Sequence, residues 1–125
     1  MKDNKPFSVW DIDGVEFKVY LAGSEEMADN IGVCSGSAAV IYMHREISSP
    51  TLFSQTLLHE LTHAYVYTRN IGNGVNTDAR TSIDLTHEQA VCRFSASFYS
   101  LIADNPTSFS DYIFPGKKVA SLLKK

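Results

Sequence analysis

The stretch TLLHELTHAYVY, residues 56–67, carries His59, Glu60 and His63 in the spacing H-E-x-x-H. Residues four apart on an α-helix stack on one face. A helix here therefore sets the two imidazoles side by side, able to hold one Zn²⁺ at about 2.0–2.1 Å from each nitrogen. Glu60 is turned about 100° from His59 around the same axis. It is displaced from the metal and reaches a water beside it. Hydrolysis needs that arrangement: the ion lowers the pKa of the water, and a carboxylate takes its proton. The plain alternative is a structural pair of surface histidines. At ordinary residue frequencies the pattern arises by chance in on the order of one chain of this size in several hundred. Such a copy need not have an apolar stripe behind it, and here Phe53, Leu57, Leu61 and Ala64 supply one. Thr56 lies near the histidine face one turn earlier, and Tyr67 one turn later.

Two histidines do not complete a catalytic zinc site, which has three protein ligands and one open position. The stretch DLTHEQAVCRF, residues 84–94, holds the candidates. Thr86 and Gln89 form a capping box, which places His87 and Glu88 in the first turn of a helix. Ala90, Val91, Phe94, Phe98 and Leu101 then make its apolar face. A helix packed beside the first can present Glu88 to the metal. An acid also suits a helix N-terminus for its own sake, so Glu88 has a purely structural reading too. His87 is the rival ligand and Asp84 a third possibility. Cys34 and Cys92 are less usual partners for two histidines in a hydrolytic site. His44 reads as a surface histidine after a strand. Tyr42, Tyr67 and Arg80 could stabilise an oxyanion, but their ordinary reading is packing or solvated surface.

These groups must be positioned by a small α+β fold. Residues 7–21 read as a hairpin: Val15 to Leu21 alternate at period two, and Asp13-Gly14 is a tight-turn signal. Ser24 followed by Glu25-Glu26 reads as an N-cap opening a short helix that stops near Gly32. SAAVIYM, 37–43, is a second strand candidate. Ser49-Pro50 then opens the H-E-x-x-H helix, which runs to about Thr68. Residues 70–85 are rich in Gly, Asn, Thr and Asp and read as a long surface loop. The third helix spans about 87–103 and stops at Asn105-Pro106. The aromatic tail, broken by Pro115-Gly116, has room for a short final helix.

The 125 residues are one domain long, with 44% hydrophobic and 20% charged residues, an ordinary globular mix. No apolar run approaches the roughly 20 residues of a membrane span. The opening MKDNKPFSVWDIDG lacks the apolar core of a signal peptide, so the chain as given reads as cytoplasmic. Cys34 and Cys92, without C-x-x-C spacing, read there as buried free thiols. A net charge of −3 argues against broad electrostatic binding to nucleic acid. Lys117, Lys118, Lys124 and Lys125 read as a solvated tail.

Short strands, TLLHELTHA, a variable loop, and a helix opening with Glu and continuing E-x-A…F-x-A: this order resembles the compact zinc metallopeptidases of the ImmA/IrrE type, many borne by phages and mobile elements. The resemblance covers roughly residues 37–102. It implies a minimal zincin-like domain over 1–125, a small antiparallel or mixed sheet packed on the H-E-x-x-H helix and a second, ligand-bearing helix. It implies one zinc per chain held by His59, His63 and Glu88, with Glu60 as the base. EQAVCRFSASF lacks the Asn and the Leu-Leu-Met-Pro ending that members often show. The function expected is that of a zinc-dependent endopeptidase acting on a protein or peptide, which adds as a strand to the edge of SAAVIYM. Two other readings are a non-catalytic zincin-fold binding module, for which an intact Glu60 has no use, and a SprT-like DNA-associated protease, for which the chain lacks a basic surface.

Competitive zinc titration separates the ligand candidates. Glu88→Gln is expected to weaken zinc binding strongly and His87→Ala to leave it alone. A first-turn acid with no metal role would cost at most about 1 kcal/mol of helix stability on the same change. Weakening in His87→Ala alone would move the ligand by one residue.

Overall fold

The computed structural model describes residues 3–71 and 87–124, and of these the side chains at 70–71 and 87–92 are left out of the description. The chain opens with β1 (Ser8–Ile12) and β2 (Val15–Ala22), an antiparallel pair in which Ser8 faces Val19 and Ile12 faces Val15. Asp13 and Gly14 join them with φ of 53° and 85°. Two successive positive φ values define the turn whose twist matches a right-twisted hairpin, and Asp and Gly are the residues that adopt them. Asp11 helps by accepting the Gly14 N–H at 2.7 Å.

Helix α1 (Ser24–Met27) is only four residues long. Gly23, not Ser24, is its N-cap, and Glu26 accepts the Gly23 N–H at 3.1 Å. The helix ends at Ala28, whose φ is 52°. The chain then makes a strand the sequence did not announce, β3 (Gly32–Ser35), and turns through residues 36–39 into β4 (Val40–His44). The single expected strand over 37–43 is thus a turn followed by β4. The sheet is mixed, in the order β1-β2-β4-β3, with β2 and β4 parallel and the other pairs antiparallel. Because β4 is central, it has no edge for a peptide to join. Among the described residues the uncovered edge is that of β3.

Helix α2 (Pro50–Ile71) starts where Ser49 Oγ accepts the Leu52 N–H at 3.2 Å, with Pro50 at the first helical position. Its stripe Phe53, Leu57, Leu61 and Ala64 is fully buried, against Trp10, Phe17, Val19, Ile41 and Met43 of the sheet. Fully burying each large side chain is worth about 1.5–3 kcal/mol. Among the described residues no helix is long and apolar enough to cross a membrane.

Among its described side chains, helix α3 (His87–Asp104) meets the core through Leu101; Phe94 and Phe98 are 54% and 47% exposed. Of the apolar face expected of it, Phe94 and Phe98 lie outside the core and Leu101 within it, while the side chains of Ala90 and Val91 lie outside the described ones. The helix is also attached at its end. Asn105 accepts the Asp11 N–H at 2.7 Å and donates to the Asp11 carbonyl at 2.9 Å. Pro106, which stops α3, is also the first residue of α4 (Pro106–Tyr112), and α5 (Val119–Leu123) follows. Ser108 Oγ donates to the Val9 carbonyl at 3.4 Å, and the Tyr112 hydroxyl to that of Phe7 at 3.0 Å. These contacts cover the outer edge of β1.

Arg69, near the end of α2, ties three pieces together. Its Nε lies 2.8 Å from Asp13 Oδ2 in the hairpin turn, its Nη1 donates to Ser97 Oγ of α3 at 2.8 Å, and its guanidinium lies over the Tyr65 ring. The Arg69 hydrogen bond holds the Asp13 carboxyl below its ordinary value of 3.8. A carboxyl depressed in the folded state adds stability above its unfolded pKa, and that stability is lost as pH falls through the folded value. Asp13→Asn, which keeps the turn conformation, is expected to cost up to about 1 kcal/mol at pH 7. The gap should close well below pH 4. Urea unfolding at the two pH values measures it, and an equal gap at both would show that the ion pair contributes nothing.

Candidate metal and catalytic centre on helix α2

At about 100° per residue, helix α2 has three occupied flanks. Phe53, Leu57, Leu61 and Ala64 face the sheet. Leu58, Thr62, Tyr65 and Arg69 turn to the side where Ser97 and Leu101 of α3 lie. Thr56, Glu60 and Tyr67 turn to the opposite side, the first two against Gly32 of β3 and Tyr67 against Gly36 just beyond it. What remains is the solvent face, and it carries His59 and His63, both exposed.

The two Nε2 atoms are 3.1 Å apart, with ring centroids at 4.7 Å and planes at 75°. At that distance one imidazole donates to the other according to tautomer. The same distance fits a shared metal. Two nitrogens about 2.05 Å from a tetrahedral zinc stand about 3.3 Å apart, so the pair would open by only a few tenths of an ångström. Both rings converge through the nitrogen farther from the backbone and both are open to solvent, so the donor set suits a zinc ion arriving from outside.

Glu60 is different from its neighbours in sequence. It is 7% exposed, turned about 60° from His63 around the helix axis. Its carboxylate lies against the backbone of Gly32. A Cβ built on Gly32 would stand 2.8 Å from Thr56 Cγ2 and 3.1 Å from both Cγ and Oε2 of Glu60. One built on Gly36 would collide with the Tyr67 ring. These glycines let the strand approach the helix more closely than any side chain would allow. Between them Cys34 faces the same way. Burial pushes its thiol up to about 11, with the negative charge of Glu60 adding to the effect. Cys34 is free and half-buried, in keeping with a structural thiol.

The edge of β3 lies beside this carboxylate. The His44 N–H donates to the Ile31 carbonyl at 3.0 Å. In the antiparallel pattern Ile31, Val33 and Ser35 then bond to β4, while the N–H and C=O groups of Gly32 and Cys34 turn outward. Among the described residues β3 pairs only with β4.

The remaining candidates fall as follows. His44 is the last residue of β4; its Nδ1 accepts the Glu46 N–H at 3.0 Å, and its Nε2 lies 3.4 Å from Ser24 Oγ. Tyr42 packs against Tyr20, ring centroids 5.8 Å apart, on the sheet face away from α2. Tyr67 covers Gly36. Glu88 and His87 stand in the first turn of α3, with their side chains outside the described ones, and Asp84, Arg80 and the expected loop over 70–85 fall there too, save the end of α2 at 70–71. Among the described residues no three His, Cys, Asp or Glu side chains form a group able to hold a metal. Sequence reasoning passed over Gly32 and Gly36. Their signal is G-x-C-x-G, small residues at every second position, which suits a strand lying close under a helix.

No protein-family model, curated protein or solved structure matches the chain.

The His59 and His63 geometry leads to a direct measurement. The purified chain is expected to carry one zinc, and His59→Ala and His63→Ala are each expected to reduce the content towards zero by elemental analysis. Full stoichiometry in both variants would remove the metal reading.

Proposed function

We propose that the chain is a zinc-dependent endopeptidase of the ImmA/IrrE type, working in the cytoplasm on a protein or peptide substrate. The observation that carries this reading is the convergence of His59 and His63 at 3.1 Å beside the buried Glu60. In it, His59, His63 and Glu88 would hold the ion. Zinc, when bound, supplies Lewis acidity that lowers the pKa of a water and polarises the scissile carbonyl.

The chain's own residues do the rest. The outward amides of Gly32 and Cys34 hold an extended peptide against the edge of β3. Glu60 accepts a proton from the attacking water as its oxygen bonds to the carbonyl carbon. It then delivers the proton to the amide nitrogen as the C–N bond breaks. The α2 packing keeps Glu60 from swinging away, because Thr56 and Gly32 enclose it. A net charge of −3 gives no basis for direct nucleic-acid binding.

Comparison of cell proteomes with and without expression of the chain identifies a cleaved substrate. On that substrate Glu60→Gln is expected to keep fold and zinc content and lose about 10²–10⁴-fold in rate, because the amide cannot take the proton. Unchanged cleavage by the Gln variant would remove Glu60 from the role of base.

A further inference from the structure

We propose that Gly32 is a positioning residue for the Glu60 carboxylate: it leaves the space in which the carboxylate lies beside β3. The role rests on the reading of Glu60 as the base, and it adds what sets the distance between that base and a peptide on the strand. A carboxylate on a two-carbon stem has several rotamers. Three observations narrow the choice. Glu60 is 7% exposed, so outward rotamers are unused. Its Cγ and Oε2 both stand 3.1 Å from the position a Gly32 Cβ would take, so stem and head lie against the strand backbone. Tyr67 packs on Gly36 farther along, clamping the strand to the helix so that the space at Gly32 cannot widen. A methyl at position 32 meets Thr56 Cγ2 at 2.8 Å and the Glu60 side chain at 3.1 Å. The flexible carboxylate yields first once the Thr56 methyl is gone.

Cys34 reports where the Glu60 charge lies, because it shares the strand face with Gly32 and feels that charge. All variants carry Cys92→Ser, so that Cys34 is the only thiol, and its alkylation by iodoacetamide is timed at one alkaline pH. Glu60→Gln is expected to speed alkylation about twofold or more in the chain with Gly32, since a few tenths of a pKa unit change the thiolate population by that factor. In the Gly32→Ala, Thr56→Ser background the same Glu60→Gln change should have little effect, because the carboxylate has already moved. The ratio within each background cancels any change in thiol access. Glu60→Asp with Gly32 intact keeps the charge and withdraws it by one methylene, and is expected to alkylate at a rate between those of the parent and the Gln variant. This third comparison stands even if the Gly32→Ala chain does not fold. Equal Glu60→Gln ratios in both backgrounds, or a Glu60→Asp rate equal to the parent's, would overturn the proposal. Zinc affinity is measured on the same proteins and should not change with Gly32→Ala. A parent chain that binds no zinc would sink the endopeptidase reading while leaving the thiol ratios to decide the position of Glu60.

Discussion

Helix α2 can bury its apolar stripe against the sheet only by lying tightly over it, and that packing fixes the direction of every other side chain on the helix. With Leu57, Leu61 and Ala64 fully buried, rotation of the helix would expose large side chains at a cost of about 1.5–3 kcal/mol each. His59 and His63 are therefore held toward solvent, and Glu60 toward β3, by contacts that involve none of the three. The site is precise because it stands on a helix whose opposite side has no freedom. Gly32 and Gly36 extend the same constraint sideways, since the strand beneath them can lie close only where side chains are missing.

The two edges of the sheet are treated in opposite ways. On the β1 side, Asn105 exchanges two hydrogen bonds with Asp11, while Ser108 and Tyr112 bond to the Val9 and Phe7 carbonyls. Unpaired strand edges invite association with other chains, and covering one with a helix is a usual remedy. The β3 edge has no such cover among the described residues. Among the described residues that edge lies open beside the buried Glu60 carboxylate.

Local spacing made part of this legible. H-E-x-x-H read as a helical face because helix geometry fixes residues four apart, whatever the rest of the chain does. Asp13-Gly14 read as a hairpin turn because the turn demands positive φ. Helix α2 was legible from its stripe and from Ser49-Pro50. Strand β3 was not, since Gly32, Cys34 and Gly36 show no apolar alternation and owe their strand to α2 passing over them. Helix α4 was hidden because Pro106 ends one helix and begins the next. The periodicity of α3 predicted a helix correctly but not the exposure of Phe94 and Phe98, because periodicity says which residues share a face and not what covers it. The expectation that Glu88 joins the two histidines depends on a contact between elements far apart in sequence, which local spacing does not encode.

The bond between Asp11 and Asn105 joins residues 94 apart in sequence, whereas β3, β4 and α2 lie within one stretch of 40 residues, 32–71. During synthesis the strand that the histidine helix overlies is therefore complete long before the chain that closes the far edge has been made. Domains generally fold as units, and unpaired edges are the hazard before the closing segment is made. The first hairpin must wait, open on one side, for the last third of the protein. Asp11 and Glu16 on its exposed face put charge along the waiting strand pair, which discourages a neighbouring chain from docking there first.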